Sequence, residues 1–98
     1  MDNQHRQIKG YRELSEADIA LMNKVKDFGP LLEELLAEVN SHVQGQRIHS
    51  KDDGAPDNTV AQARLDRAQP ERWAAIARTH FQEGLMALTR AVAQPTFF

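Results

Sequence analysis

Leu14-Ser15-Glu16-Ala17-Asp18-Ile19-Ala20-Leu21-Met22 is the stretch that decides the fold of this chain. Ser15 and Asp18 stand at capping-box spacing: the Ser15 hydroxyl accepts from the Asp18 N–H, and the Asp18 carboxylate reaches back to Ser15. Leu14 before the cap and Ile19 after it form a hydrophobic staple, while Glu16 and Asp18 put negative charge at the positive end of the helix. Cap, acidic first turn and staple agree, so a helix starts at Glu16.

Working outward, Ile19, Met22, Val25, Leu32, Leu36, Val39 and Val43 keep a three-and-four spacing, and Leu31 and Leu35 widen the stripe. Gly29-Pro30 interrupts it. Proline has no N–H and its ring meets the carbonyl four residues back, here that of Lys26, so the sequence predicts a kink near Lys26. The apolar phase carries across the proline, which favours one long bent helix over residues 16–44 rather than two. Residues 45–58 hold two glycines, a proline and five charged residues, and read as a flexible loop. Asn58 or Thr59 then caps a short helix through Leu65, and Pro70 stands at a first helical position. From there Ala74, Ala77, Phe81, Leu85, Leu88 and Val92 form a second stripe, widened by Trp73 and Ile76, before Pro95 ends it. The expected fold is all-α: a short N-terminal segment, a long kinked helix and a second long helix in an antiparallel helical hairpin, as one domain over residues 1–98.

A chain of 98 residues has a thin core for its surface. Two helices bury one stripe each, and such a hairpin does not cover Trp73, Met86, Leu21, Leu31, Phe97 and Phe98 as well. At about 25 cal/mol per Å² of apolar surface, leaving them wet forfeits several kcal/mol. Association of several copies is the simplest remedy, and Gly84 with Ala74, Ala75, Ala77, Ala87 and Ala91 allows close helix approach. The sequence therefore predicts a homo-oligomer with pockets between protomers.

Composition excludes several classes. There is no cysteine, hence no disulfide and no thiolate metal site. The polar opening Met1 to Arg6 leads into no apolar run of signal-peptide length, and no stretch of about 18 apolar residues suits a membrane span, so a cytoplasmic protein without membrane contact is expected. A net charge of −2 argues against general duplex nucleic-acid binding, which needs a basic surface. The charge is unevenly spread: acids dominate residues 31–58, whereas every cation of residues 59–98 is an arginine (Arg64, Arg67, Arg72, Arg78, Arg90). Arginine suits bidentate contacts to phosphate or carboxylate, although on a helix it also serves simply as a solvated, helix-favouring residue.

Catalytic constellations are poor. His5, His42, His49 and His80 are scattered without metal-ligand spacing, and no phosphate-cradling glycine loop or nucleophile elbow is present. Glu33-Glu34 and Asp52-Asp53 read as solvation. Neither an enzyme nor a resident metal or cofactor is expected. Binding chemistry is better represented. Tyr11, the single tyrosine, stands in Ile8-Lys9-Gly10-Tyr11-Arg12, where an aromatic face for a base lies between cations for phosphate; its plainer role is to pack on the first helix. Lys26 lies one turn beyond Met22 at the edge of the apolar stripe, beside the carbonyl freed by Pro30; its plainer role is a snorkelling lysine.

Two longer blocks carry a family resemblance: Ile8-Lys9-Gly10-Tyr11-Arg12-Glu13-Leu14 leading into the capped helix, and Pro70 to Val92 with Trp73 and Gly84 in context. They resemble the phage-encoded anti-CBASS cyclic-nucleotide sponge family over nearly the whole chain outside the loop. The resemblance implies a helical hairpin that assembles into a hexamer in the cytoplasm of the infected bacterial host. There it would sequester cyclic oligonucleotide second messengers such as cGAMP without degrading them, starving the defence signal. It also implies a cyclic-dinucleotide site that matches Tyr11 and Lys26, with Arg12 and Met22 as neighbours, and a separate cyclic-trinucleotide site at Arg67, with Arg64 and Arg72 as further candidates. The competing expectations are a structural or regulatory helical oligomer that binds a protein partner without any nucleotide ligand, and a small nucleic-acid-binding regulator.

Overall fold

Ser15 closes the first helix as its spacing dictates. In the computed structural model, which describes residues 12–51 and 58–97, the Asp18 N–H donates to Ser15 Oγ at 3.1 Å, and the Ser15 N–H donates to Asp18 Oδ2 at 2.9 Å. Leu14 and Ile19 are both half-buried, as a staple requires. The helix that follows, α1, spans Glu16–His49 with Pro30 in its interior. It is one helix, as the uninterrupted apolar phase predicts. A second helix, α2, covers Asn58–Ala68, and a third, α3, covers Pro70–Ala93. The fold class is the all-α hairpin read from the sequence, and the short helix before Pro70 is present as well.

One boundary differs. Residues 45–49, expected in the loop, continue α1. Gly45 does not adopt the left-handed backbone that ends helices. The stop comes at Ser50, whose N–H donates to the Gln46 carbonyl at 3.0 Å and whose hydroxyl donates to the Arg47 carbonyl at 2.8 Å. Arg47 explains the extra turn. Its Nε and Nη2 donate to the two oxygens of Glu71 at 2.8 Å each, Nη1 donates to Asp66 at 2.7 Å, and Nη2 also reaches the Leu65 carbonyl at 3.3 Å. The fork keeps Arg47 protonated and holds the Glu71 carboxyl below its usual range.

The described residues fall into two compact units. One takes the chain up to Leu31 together with the part from Phe81 onward, and the other is Leu32–His80. In the second unit the core is Leu36, Val43 and Leu65, with Ser50 only 1% exposed beneath α2. The Ser50 carbonyl accepts from Gln62 Nε2 at 2.6 Å, so this buried polar residue is satisfied. In the first unit Met22, Val25, Phe81, Leu85 and Val92 are half-buried and Ala93 is buried. The α3 stripe departs from the expected positions at one turn: Leu88 is exposed, while Thr89 is half-buried with its hydroxyl donating to the Leu85 carbonyl at 2.9 Å. A helix advances 3.6 residues per turn, so a stripe through Phe81 and Leu85 falls between 88 and 89, and threonine is tolerated inside once its hydroxyl is bonded.

Both α2 and α3 end on a glutamine in the left-handed conformation. Gln69 has φ 51° and donates to the Leu65 carbonyl at 3.0 Å; Gln94 has φ 55° and donates to the Arg90 carbonyl at 2.7 Å. This is the left-handed C-terminal closure that normally takes glycine. Gln69 also starts α3, since its carbonyl accepts from the Trp73 N–H at 3.2 Å and leaves Pro70 where no N–H is needed. A side chain in this conformation costs about 1 kcal/mol. Gln94→Gly is therefore expected to raise the melting temperature by about 3–8 °C. A lowered value in a thermal melt would refute the assignment of Gln94 as the strained closure.

Large apolar side chains remain outside. Leu21, Phe28, Leu31, Leu35, Trp73, Met86 and Phe97 are all about half exposed or more, with Met86 at 71%. All those that the sequence left uncovered within the described residues are exposed, whereas Phe98 lies outside them.

Candidate functional site

Lys26 and Met22 reach a shared cavity through their helical register. On α1, Met22, Val25 and Lys26 lie within one turn and face the last two turns of α3, where Leu85, Met86, Thr89, Arg90 and Ala93 recur at three- and four-residue spacing. Pro95, just past the Gln94 closure, completes the lining of a cavity of about 550 Å³. All of these residues belong to the first compact unit. The floor is aliphatic and thioether, and among the described residues the only charged side chains in the lining are Lys26 and Arg90, one from each helix. An apolar floor with two cations suits a ligand that has flat or apolar faces and negative charge.

Lys26 and Met22, expected at a ligand site, line this cavity together with Arg90, which the sequence reading did not single out. The available signal was register: Arg90 is four residues beyond Met86 and five beyond Leu85, on the side of α3 that carries Thr89 inward. The expected stripe ran through Leu88 instead. Arg90 Nη2 donates to the Phe97 carbonyl at 3.2 Å, in the tail that follows α3.

Tyr11 lies outside the described residues. Its neighbour Arg12 is held as a strut within the first unit and does not line the cavity. Arg12 Nη1 donates to Asp18 Oδ2 at 2.9 Å and to the Glu13 carbonyl at 3.3 Å, and Nη2 donates to the Val92 carbonyl at 2.7 Å. This ties the segment preceding α1 to one of the free carbonyls in the last turn of α3. The Arg12 guanidinium, and next the Ser15 N–H, hold the Asp18 carboxyl at about 2. Asp18 has its folded value below the ordinary value of about 3.9, so its contribution to stability is full above that value and is lost as pH falls toward about 2. Glu71 is lowered by Arg47 and acts in the same direction. Melting temperatures are accordingly expected to fall between about pH 5 and about pH 2, and Asp18→Asn with Glu71→Gln to flatten that slope. An equally steep acid slope in the double variant would rule out these two pairs as its origin.

The arginines proposed for a second ligand are partly brought together. Arg64 and Arg67, one turn apart on α2, line a depression of about 590 Å³ with Val60, Ala63 and Ala68. Arg72 is not part of it. Its guanidinium carbon lies 5.2 Å from the centre of the Trp73 ring, a cation–π contact on α3. Among the described residues no group of three or more histidines, aspartates or glutamates is placed to hold a metal ion, and no helix is long and apolar enough to cross a membrane.

The sequence profile of the Acb2/Tad1 hairpin domain matches residues 3–93. The chain belongs to that family. A curated relative, "Anti-CBASS protein 2" of Pseudomonas phage JBD67, is 42% identical over 106 residues, covering 97% of each chain. The hairpin-domain match takes in Tyr11, Lys26, Arg67 and Arg90, and stops at the last residue of α3. The segment beyond, with Pro95 at the cavity and Phe97 bonded to Arg90, lies past the family match.

Proposed function

We propose that this member of the hairpin-domain family acts against CBASS, the activity named for its relative, by binding cyclic di- and trinucleotide second messengers such as cGAMP and holding them intact. The observation that carries the reading is the 550 Å³ cavity between α1 and α3, in which an apolar floor is flanked by Lys26 and Arg90. Bases present large flat faces, phosphates present the charge, and a cavity of this size holds a substantial part of a dinucleotide. Tyr11 supplies the stacking face and Lys26 a phosphate contact, with Met22 beneath the base. Sequestration requires tight binding and slow release, and no general base. Arg64 and Arg67 take a cyclic trinucleotide in the depression on α2.

The protein works as a homo-oligomer in the cytoplasm of the infected host. The exposed Leu21, Phe28, Leu31, Trp73 and Met86 support association, because a chain with so few buried apolar residues gains stability by covering them. A thermal-shift screen of the full chain against cyclic di- and trinucleotides tests the reading, with chromatography of the ligand recovered after denaturation. A raised melting temperature and intact ligand are expected. No shift with any cyclic oligonucleotide, or recovery of a linear product, would sink it.

A further inference from the structure

We infer that Arg90 is a second phosphate-holding residue of the Lys26 cavity and the one that makes the site prefer two phosphates over one. The inference rests on the proposed cyclic-dinucleotide reading and adds to it a residue and a specificity. Among the described residues, Lys26 from α1 and Arg90 from α3 are the only charged side chains in the lining, and no carboxylate lines the cavity beside them. Neither forms an ion pair with any described residue. This sets them apart from Arg12, Arg47 and Arg78, each of which is paired with a carboxylate.

Two cations without an ion pair among the described residues, beside an apolar floor, favour a ligand with two separate anionic groups. Arg90 is also free to change partner. Among the described residues its side chain donates one hydrogen bond, to the exposed, neutral carbonyl of Phe97 at 3.2 Å, and a charge-assisted bond to phosphate is shorter and about twice as strong. Ligand phosphate therefore replaces the Phe97 carbonyl, and the planar fork of arginine suits two oxygens of one phosphate. On α3 the backbone below Arg90 is fixed by the Gln94 N–H on its carbonyl, so the side chain moves without the helix end moving.

Isothermal titration of the full chain with cGAMP and, in parallel, with cyclic AMP tests this, since the first carries two phosphates and the second one. Arg90→Gln is expected to weaken cGAMP binding by about tenfold to a hundredfold and cyclic AMP binding by no more than about threefold, whereas Lys26→Gln weakens both. Arg90→Lys, which keeps the cation but loses the fork, is expected to bind cGAMP with an affinity between those of wild type and Arg90→Gln. It decides the matter should Arg90→Gln lower the melting temperature of the free chain. Arg90→Gln binding cGAMP as wild type does, or Arg90→Lys as weak as Arg90→Gln, overturns the inference alone. A wild-type chain that binds no cyclic dinucleotide overturns both this inference and the function on which it rests.

Discussion

Lys26→Ala is expected to weaken cGAMP binding by about tenfold to a hundredfold while leaving the melting temperature of the unliganded chain within about 2 °C of wild type. The large effect on binding follows from the surroundings of Lys26. It borders an apolar cavity where a charge-assisted bond to phosphate is screened less than in open water. The small effect on stability follows because Lys26 is exposed and takes part in no ion pair of the described residues, so removing it leaves no buried partner behind. If the ligand lies on a symmetry axis of an oligomer, each substitution counts twice, and the loss falls at the upper end of the range. Tyr11→Ala is expected to act in parallel, since base stacking on an aromatic ring contributes about 1–3 kcal/mol. The two variants together would separate the charge from the stacking part of the site. Titration is the deciding measurement, and binding by Lys26→Ala at wild-type strength would remove Lys26 from the site.

The largest stability loss is expected from Leu65→Ala. Leu65 is 2% exposed and is the most deeply buried apolar side chain described. It belongs to α2, and its carbonyl accepts both from Gln69, which closes α2, and from Arg47. Deleting three carbons here removes the transfer energy of the side chain and leaves a cavity, for a total of about 2–5 kcal/mol. A domain of this size is stable by only about 5–15 kcal/mol, so the melting temperature should fall by about 10 °C or more. Leu65→Met, which conserves volume, should cost under about 1.5 kcal/mol. A Leu65→Ala protein that melts within about 2 °C of wild type would show that α2 packs elsewhere in solution.

Signals that act within one turn of helix were legible in the sequence. Ser15 and Asp18 cap each other as their spacing demands, Pro70 opens α3 because it has no N–H to leave unbonded, and α1 runs through Pro30 because the apolar phase on either side agrees. Register puts Lys26 one turn beyond Met22, and both line one cavity; their ligand role came from the family resemblance. What the sequence could not decide rests on partners far apart along the chain. The end of α1 depends on Arg47 meeting Asp66 and Glu71, 19 and 24 residues away, which is why Gly45 and the polar residues after it read locally as a loop. Arg12 looked like a neighbour of the ligand because it adjoins Tyr11, yet its guanidinium holds the Val92 carbonyl, 80 residues on.

Helical class, helix starts and the pool of candidate cations were thus determined by the sequence itself, because propensity, capping and periodicity act between residues no more than four apart. Tertiary structure alone decided the work of each cation: Arg12 and Arg47 as struts, Lys26 and Arg90 as walls of one cavity. The physical reason is that a charged side chain takes its role from the group it meets across the fold. The backbone brings that group within hydrogen-bond reach only once the helices have packed.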